Sequence, residues 1–183
     1  EFLVVIVVLV VLGSIVSGIV TFSVRGTNKS NTIENLRQSG NYNLSQMSKT
    51  IEYANSLEGL SADGVSYVTA CPITQPVPTP SSTNYTNIKV KPFKNNSVEY
   101  QCQEVTPGNF SLTSNGTSLI DTSPGSQIKM SECVFKCTVS STVDSPILNI
   151  RFVLAPATPS TLVEKFAAPI TFETSVTMRN YQK

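Results

Sequence analysis

The stretch Glu1-Phe2-Leu3-Val4-Val5-Ile6-Val7-Val8-Leu9-Val10-Val11-Leu12-Gly13 decides how the rest of this chain is read. No charge follows Glu1 until Arg25. As a helix, residues 2–24 would reach about 35 Å, enough to cross the hydrocarbon core of a bilayer. A cleavable signal peptide starts on basic residues, has a shorter apolar run and ends on small residues. This stretch starts on an acid and ends on no such site. A single-pass anchor accounts for the length and the hydropathy, but not for the acid at its head. A carboxylate there costs several kcal/mol if it is buried without a partner, although the helix macrodipole favours an acid at an N-terminus. Gly13, Ser14, Ser17 and Gly18 interrupt the run. Residues this small let apolar helices approach closely.

After Arg25 the chain turns polar but keeps a helical period. Ile33, Leu36, Leu44, Met47, Ile51, Ala54 and Leu57 share one face of a 3.6-residue helix, with Arg37, Gln46, Lys49 and Glu52 off it. The spacing predicts an amphipathic helix over 25–60, kinked at Gly40 and Asn41. From about Ser61 the period becomes two. Val98, Tyr100 and Cys102 alternate with Glu99, Gln101 and Gln103, Leu148, Ile150, Phe152 and Leu154 alternate with Asn149, Arg151 and Val153, and Ile170, Phe172, Val176 and Met178 share a face. Residues 65–71, 88–91 and 127–139 are further strand candidates. Proline-rich 72–82, Asn115-Gly116, Pro124-Gly125 and 156–159 break the runs. Half-buried strands of this kind form antiparallel sheet with one wet face. The expected fold class is α+β, a long N-terminal helix on an antiparallel head over 61–183.

All four cysteines, Cys71, Cys102, Cys133 and Cys137, lie beyond the apolar segment. In an oxidising compartment they form a disulfide framework with three possible connectivities. Cys133, Phe135, Cys137 and Val139 alternate with Val134, Lys136 and Thr138 as in a strand, which would hold the Cα atoms of Cys133 and Cys137 about 13 Å apart. On that reading each pairs with Cys71 or Cys102; if instead they bond each other, the segment must turn. Zinc is the competing reading, but a single C-x3-C without histidine is poor support for it.

Composition excludes more than it assigns. Thirteen Lys and Arg against twelve Asp and Glu leave a net charge of +1, with no basic tract for nucleic acid. The absence of histidine and of a phosphate loop gives catalysis little support, and Asp63, Asp121, Asp144 and Glu164 are scattered acids. Neither a cofactor nor a calcium loop is expected. Asn-x-Ser/Thr sequons begin at Asn28, Asn43, Asn84, Asn95, Asn109 and Asn115. With fourteen Asn and roughly a quarter of the chain Ser or Thr, about three or four would arise by chance.

The opening stretch resembles the segment that follows the prepilin peptidase site in type IV pilins and pseudopilins, with Glu1 matching the acidic residue of that motif. The four residues that precede it in the family are not part of this sequence. The runs Leu44-Ser45-Gln46-Met47-Ser48-Lys49-Thr50-Ile51-Glu52-Tyr53-Ala54 and Phe172-Glu173-Thr174-Ser175-Val176-Thr177-Met178-Arg179-Asn180 are similar to the stalk and the last strand of pilin-like proteins. The resemblance implies a type IV pilin-like fold: a hydrophobic stalk over 1–24, its continuation over 25–60, and the head. It implies a structural subunit that sits in the cytoplasmic membrane before assembly and then joins an extracellular filament of many copies. Glu1 would meet the N-terminal amine of a neighbour, and pilus assembly machinery would be a partner. It also implies local loss of helix between Gly13 and Gly18 in the filament, and glycosylation, commonly at Ser or Thr in that family. A minor pilin or a type II secretion pseudopilin is the alternative within the class. A surface-binding module on a single-pass anchor is the alternative outside it.

Overall fold

Helix α1, Phe2–Glu52, runs unbroken for 51 residues, a length of about 76 Å. The structure is a computed structural model that describes residues 2–72, 83–93, 96–123, 125–139, 145–157 and 168–179, with backbone only at 4, 25, 28 and 29. Two stretches of α1 meet different surroundings. Its C-terminal part buries Leu36, Gly40, Asn43, Met47 and Ile51, whose spacings of 4, 3, 4 and 4 trace one helical face. The N-terminal part is exposed.

Nine strands follow in the described residues: β1 Ala54–Ser61, β2 Asn84–Tyr85, β3 Asn87–Pro92, β4 Val98–Thr106, β5 Asn109–Ser114, β6 Thr117–Ser118, β7 Ile128–Thr138, β8 Ile147–Pro156 and β9 Ile170–Thr177. They make two antiparallel sheets, ordered β1-β3-β4-β5-β6 and β2-β7-β8-β9. The helix lies against β9, β8 and β3, and β5 packs on β7. Leu36, Met47 and Ile51 from the helix join Ile88, Leu112, Phe135, Leu148, Phe152 and Leu154 from the sheets in one core. This is an α+β architecture.

Three sequence expectations are corrected. The helix ends at Glu52, not near residue 60, and Ala54 to Leu57 belong to β1. Ala54 and Leu57 are both buried although three apart, which a regular strand does not allow. Register shifts between Ala54 and Ser56, and between Leu57 and Gly59, rotate the strand and so mimic a helical period. Arg179 helps close the helix end. Its backbone N–H donates to the Glu52 carbonyl at 2.9 Å, and its Nε lies 2.6 Å from the Glu52 carboxylate. The second correction concerns Gly40, which does not kink α1. A Cβ there would lie 2.3 Å from the Phe172 ring, so glycine is what lets the four-stranded sheet approach the helix. Residues 65–71, expected as a strand, contribute one bridge, Val68 to Leu60.

Asparagine side chains join the layers. Asn43 Nδ2, inside the helix–head interface, donates to Ser39 O at 2.9 Å and to Leu119 O at 3.1 Å. Asn109 donates to Thr122 O at 2.9 Å and accepts from Met130 N–H at 3.1 Å, tying β5 to β7.

Candidate functional site

The feature in this fold with the most unmet chemistry is the free half of α1. Val5–Val24 has a mean hydropathy of 2.8 and is 0% buried. Valine, leucine and isoleucine side chains stand exposed on every side of it, from Phe2 at 84% to Val24 at 53%. Fully covering one such side chain is worth about 1.5–3 kcal/mol, so the segment as a whole carries tens of kcal/mol toward lipid or other helices.

Two of its hydroxyls, and that of Thr27 just beyond it, are already suited to an apolar setting. Ser14 Oγ donates to Val11 O at 2.7 Å, Thr21 Oγ1 to Ser17 O at 2.8 Å, and Thr27 Oγ1 to Ser23 O at 3.0 Å. Each hydroxyl is satisfied by the preceding turn of its own helix and needs no water. Gly13 and Gly18 have open space where a Cβ would stand. Gly13, Ser14, Ser17, Gly18 and Thr21 fall within one side of the helix about 140° wide at 100° per residue. That side is where a neighbouring helix can come closest. Glu1 lies outside the described residues. Thr21 and Thr27 were missed from sequence; the signal was a hydroxyl with a carbonyl four residues back.

The head holds the predicted cysteines. Cys71 bonds Cys137 with Cα atoms 5.4 Å apart, and Cys102 bonds Cys133 at 5.6 Å. Strand β7 is extended through both Cys133 and Cys137, so the local bridge between those two does not form, and no thiolate is left for zinc. The second disulfide joins β4 of one sheet to β7 of the other. The first ties β7 to the segment that follows β1.

A polar cluster covers the outer end of β1, β3 and β4. The Asp63 carboxylate accepts from the Ser66 and Val65 N–H groups and from the Ser61 hydroxyl, which hold it well below the usual carboxylate range. Burial works to raise the Glu99 carboxyl. Hydrogen bonds from Tyr67, Gln101 and Asn87, with the Lys89 charge nearby, outweigh that and hold it lowered. Burial first, and then its bond to Glu99, raise the Tyr67 phenol.

Comparison of the chain with protein-family models, curated proteins and solved structures finds no match in any of the three.

Proposed function

We propose that this chain is a structural subunit of an extracellular type IV pilus-like filament, and that its fold is the pilin-like one. The observation that carries the reading is α1 itself. One end of a continuous helix is built into the head, and the other is apolar on all sides with no covering partner among the described residues. A bilayer covers such a segment in the unassembled subunit. A bundle of identical segments covers it equally well in a filament, and the small-residue side gives that bundle a close contact. The two disulfides fit a head placed outside the cytoplasm, where thiols oxidise. On this reading the subunit works by assembly and not by catalysis. Its partners are copies of itself, the membrane before assembly, and the machinery that extracts it.

Glu1 supplies the register. Buried in a bundle, its carboxylate needs a positive partner, and the N-terminal amine of a neighbouring copy is one. Only one axial offset then neutralises both groups.

The test is Glu1→Ala in the producing cell, with electron microscopy of sheared surface material. Loss of filaments, with the subunit still present in the membrane, is the expected result. Unchanged filament yield removes Glu1 from assembly. Absence of this chain from any filament in the unaltered cell favours a single-pass anchor bearing a surface module.

A further inference from the structure

We propose that Asn115 is an acceptor for an N-linked glycan, held at the rim of a surface hollow that receives the first sugars. Of the six sequons, the fold disqualifies two outright. Asn43 is 6% exposed, and its Nδ2 is occupied by two carbonyls inside the helix–head interface. Asn109 spends both ends of its amide, Nδ2 on Thr122 O and Oδ1 on the Met130 N–H of β7. At Asn84 the side chain is exposed, but the hydroxyl of Thr86, two residues on, donates to Ala62 O at 3.1 Å and bonds Asn87 Oδ1 at 2.8 Å. The Asn28 side chain and all of Asn95 lie outside the described residues.

Asn115-Gly116-Thr117 differs in each respect. It forms the reversal between β5 and β6, with Asn115 at φ 49° and Gly116 at φ 79°, the pair of positive values that a two-residue I′ hairpin turn requires. Asn115 Oδ1 accepts the Glu99 N–H at 2.8 Å, and its backbone N–H donates to Glu99 O at 2.8 Å. The amide is therefore held by its oxygen, and Nδ2 has no partner among the described residues. Thr117 is exposed, and its hydroxyl is likewise uncommitted among them.

A second observation points to a sugar. Asn115 stands beside an open hollow of about 510 Å³ lined otherwise by Lys89, Lys91, Asn96, Ser97 and Glu99. These are ammonium, amide, hydroxyl and carboxylate groups, the donors and acceptors that sugar hydroxyls pair with. The attached glycan also covers β6, the edge strand of the five-stranded sheet among the described residues, where another chain could otherwise pair.

The reaction joins Nδ2 to the anomeric carbon of an oligosaccharide carried on a polyprenyl diphosphate. The N–C bond forms as the C–O bond to the diphosphate breaks, and the electron pair leaves with the diphosphate. One amide proton passes to a carboxylate base of the transferase. The proposal rests on the head lying outside the cytoplasm, as in the proposed function, and not on filament assembly.

The test uses the full chain purified from its natural producer, with glycopeptide mass spectrometry and thiol alkylation on the same sample. The peptide containing Asn115 is expected to carry a sugar mass. Asn115→Gln and Thr117→Ala remove it, and Thr117→Ser keeps it at lower occupancy. If both disulfides are closed and Asn115 is bare, or another sequon alone is occupied, the glycan proposal is overturned by itself. If the cysteines are reduced and Asn115 is bare, the external placement of the head falls with it.

Discussion

Gly40 sets the distance between α1 and the four-stranded sheet, because the Phe172 ring occupies the place a Cβ would need. Alanine gains about 1 kcal/mol in helix propensity, yet overpacking of this kind costs about 1–3 kcal/mol. The contact is with a ring stacked on Phe152 at 5.3 Å and has little room to yield. Gly40→Ala is therefore expected to lower the thermal midpoint of the detergent-solubilised chain; an unchanged or raised midpoint contradicts this packing. Ionisable residues set limits in pH. The folded carboxyls of Asp63 and Glu99 are lowered, so their contribution is full above the unfolded carboxylate pKa and is lost as pH falls through the folded values. The Tyr67 phenol is raised, so its contribution is full below the unfolded phenol pKa and is lost as pH rises through the folded value. Protection of the β1, β3 and β4 amides, taken relative to their intrinsic exchange rates, should accordingly fall at both extremes and be highest between them. In Glu99→Gln the acid-side change should shrink.

At the scale of the element, α1 is divided between a part built into the core and an exposed apolar part. A Cβ at Gly13 or Gly18 would meet nothing within 4 Å among the described residues beyond its own stretch of helix, so Gly13→Leu or Gly18→Leu is expected to leave the melting of the head unchanged. If that side of the helix is the filament contact, the same variants lower filament yield several-fold; equal yield would assign the contact to another side. In the single chain α1 is continuous through these glycines, so the local loss of helix that the pilin resemblance implies would arise only in the filament. A filament map with unbroken helix there would remove that expectation. Strand β7 is the other element with a double role, since both disulfides end on it. Cys102, Cys133 and Cys137 are buried, whereas Cys71 is partly exposed. Under mild reductant, alkylation should appear at Cys71 and Cys137 before Cys102 and Cys133, read by peptide mass. The reverse order would mean that solvent reaches the β4–β7 junction first.

The whole molecule is a head whose two sheets are bolted together by the Cys102–Cys133 bridge and the Asn109 bonds, mounted on a helix that outruns it. Closing loops with sequence separations of 66 and 31 is worth roughly 3–5 kcal/mol each in chain-entropy terms. Replacing Cys102 and Cys133 together by alanine should cost about 2–5 kcal/mol, measured by urea unfolding of the oxidised chain. A loss below about 1 kcal/mol would show that the core alone holds the sheets in place. On the proposed reading, such a head would tolerate mechanical load while the free helix supplied the contact between subunits.

Much of this was legible in sequence because it depends on local pattern. The uncharged run after Glu1 fixed the long apolar helix, and alternation located the strands around Val98, Leu148 and Ile170, since burial on one face imposes a period of two whatever the partner. What local pattern cannot carry is which elements meet. The bulges of β1 made Ala54 and Leu57 look helical, and Gly40 read as a break because its reason is a phenylalanine 132 positions away. Asn43 looked like a sequon although it is a buried bridge to Leu119. Cysteine spacing left three connectivities open, because sulfur–sulfur proximity is set by how two sheets pack. The sequence by itself determined the helix, the strand pattern and the acid at its head. Only tertiary packing decided where the helix ends, which thiols pair, and that half of α1 is left without a partner among the described residues.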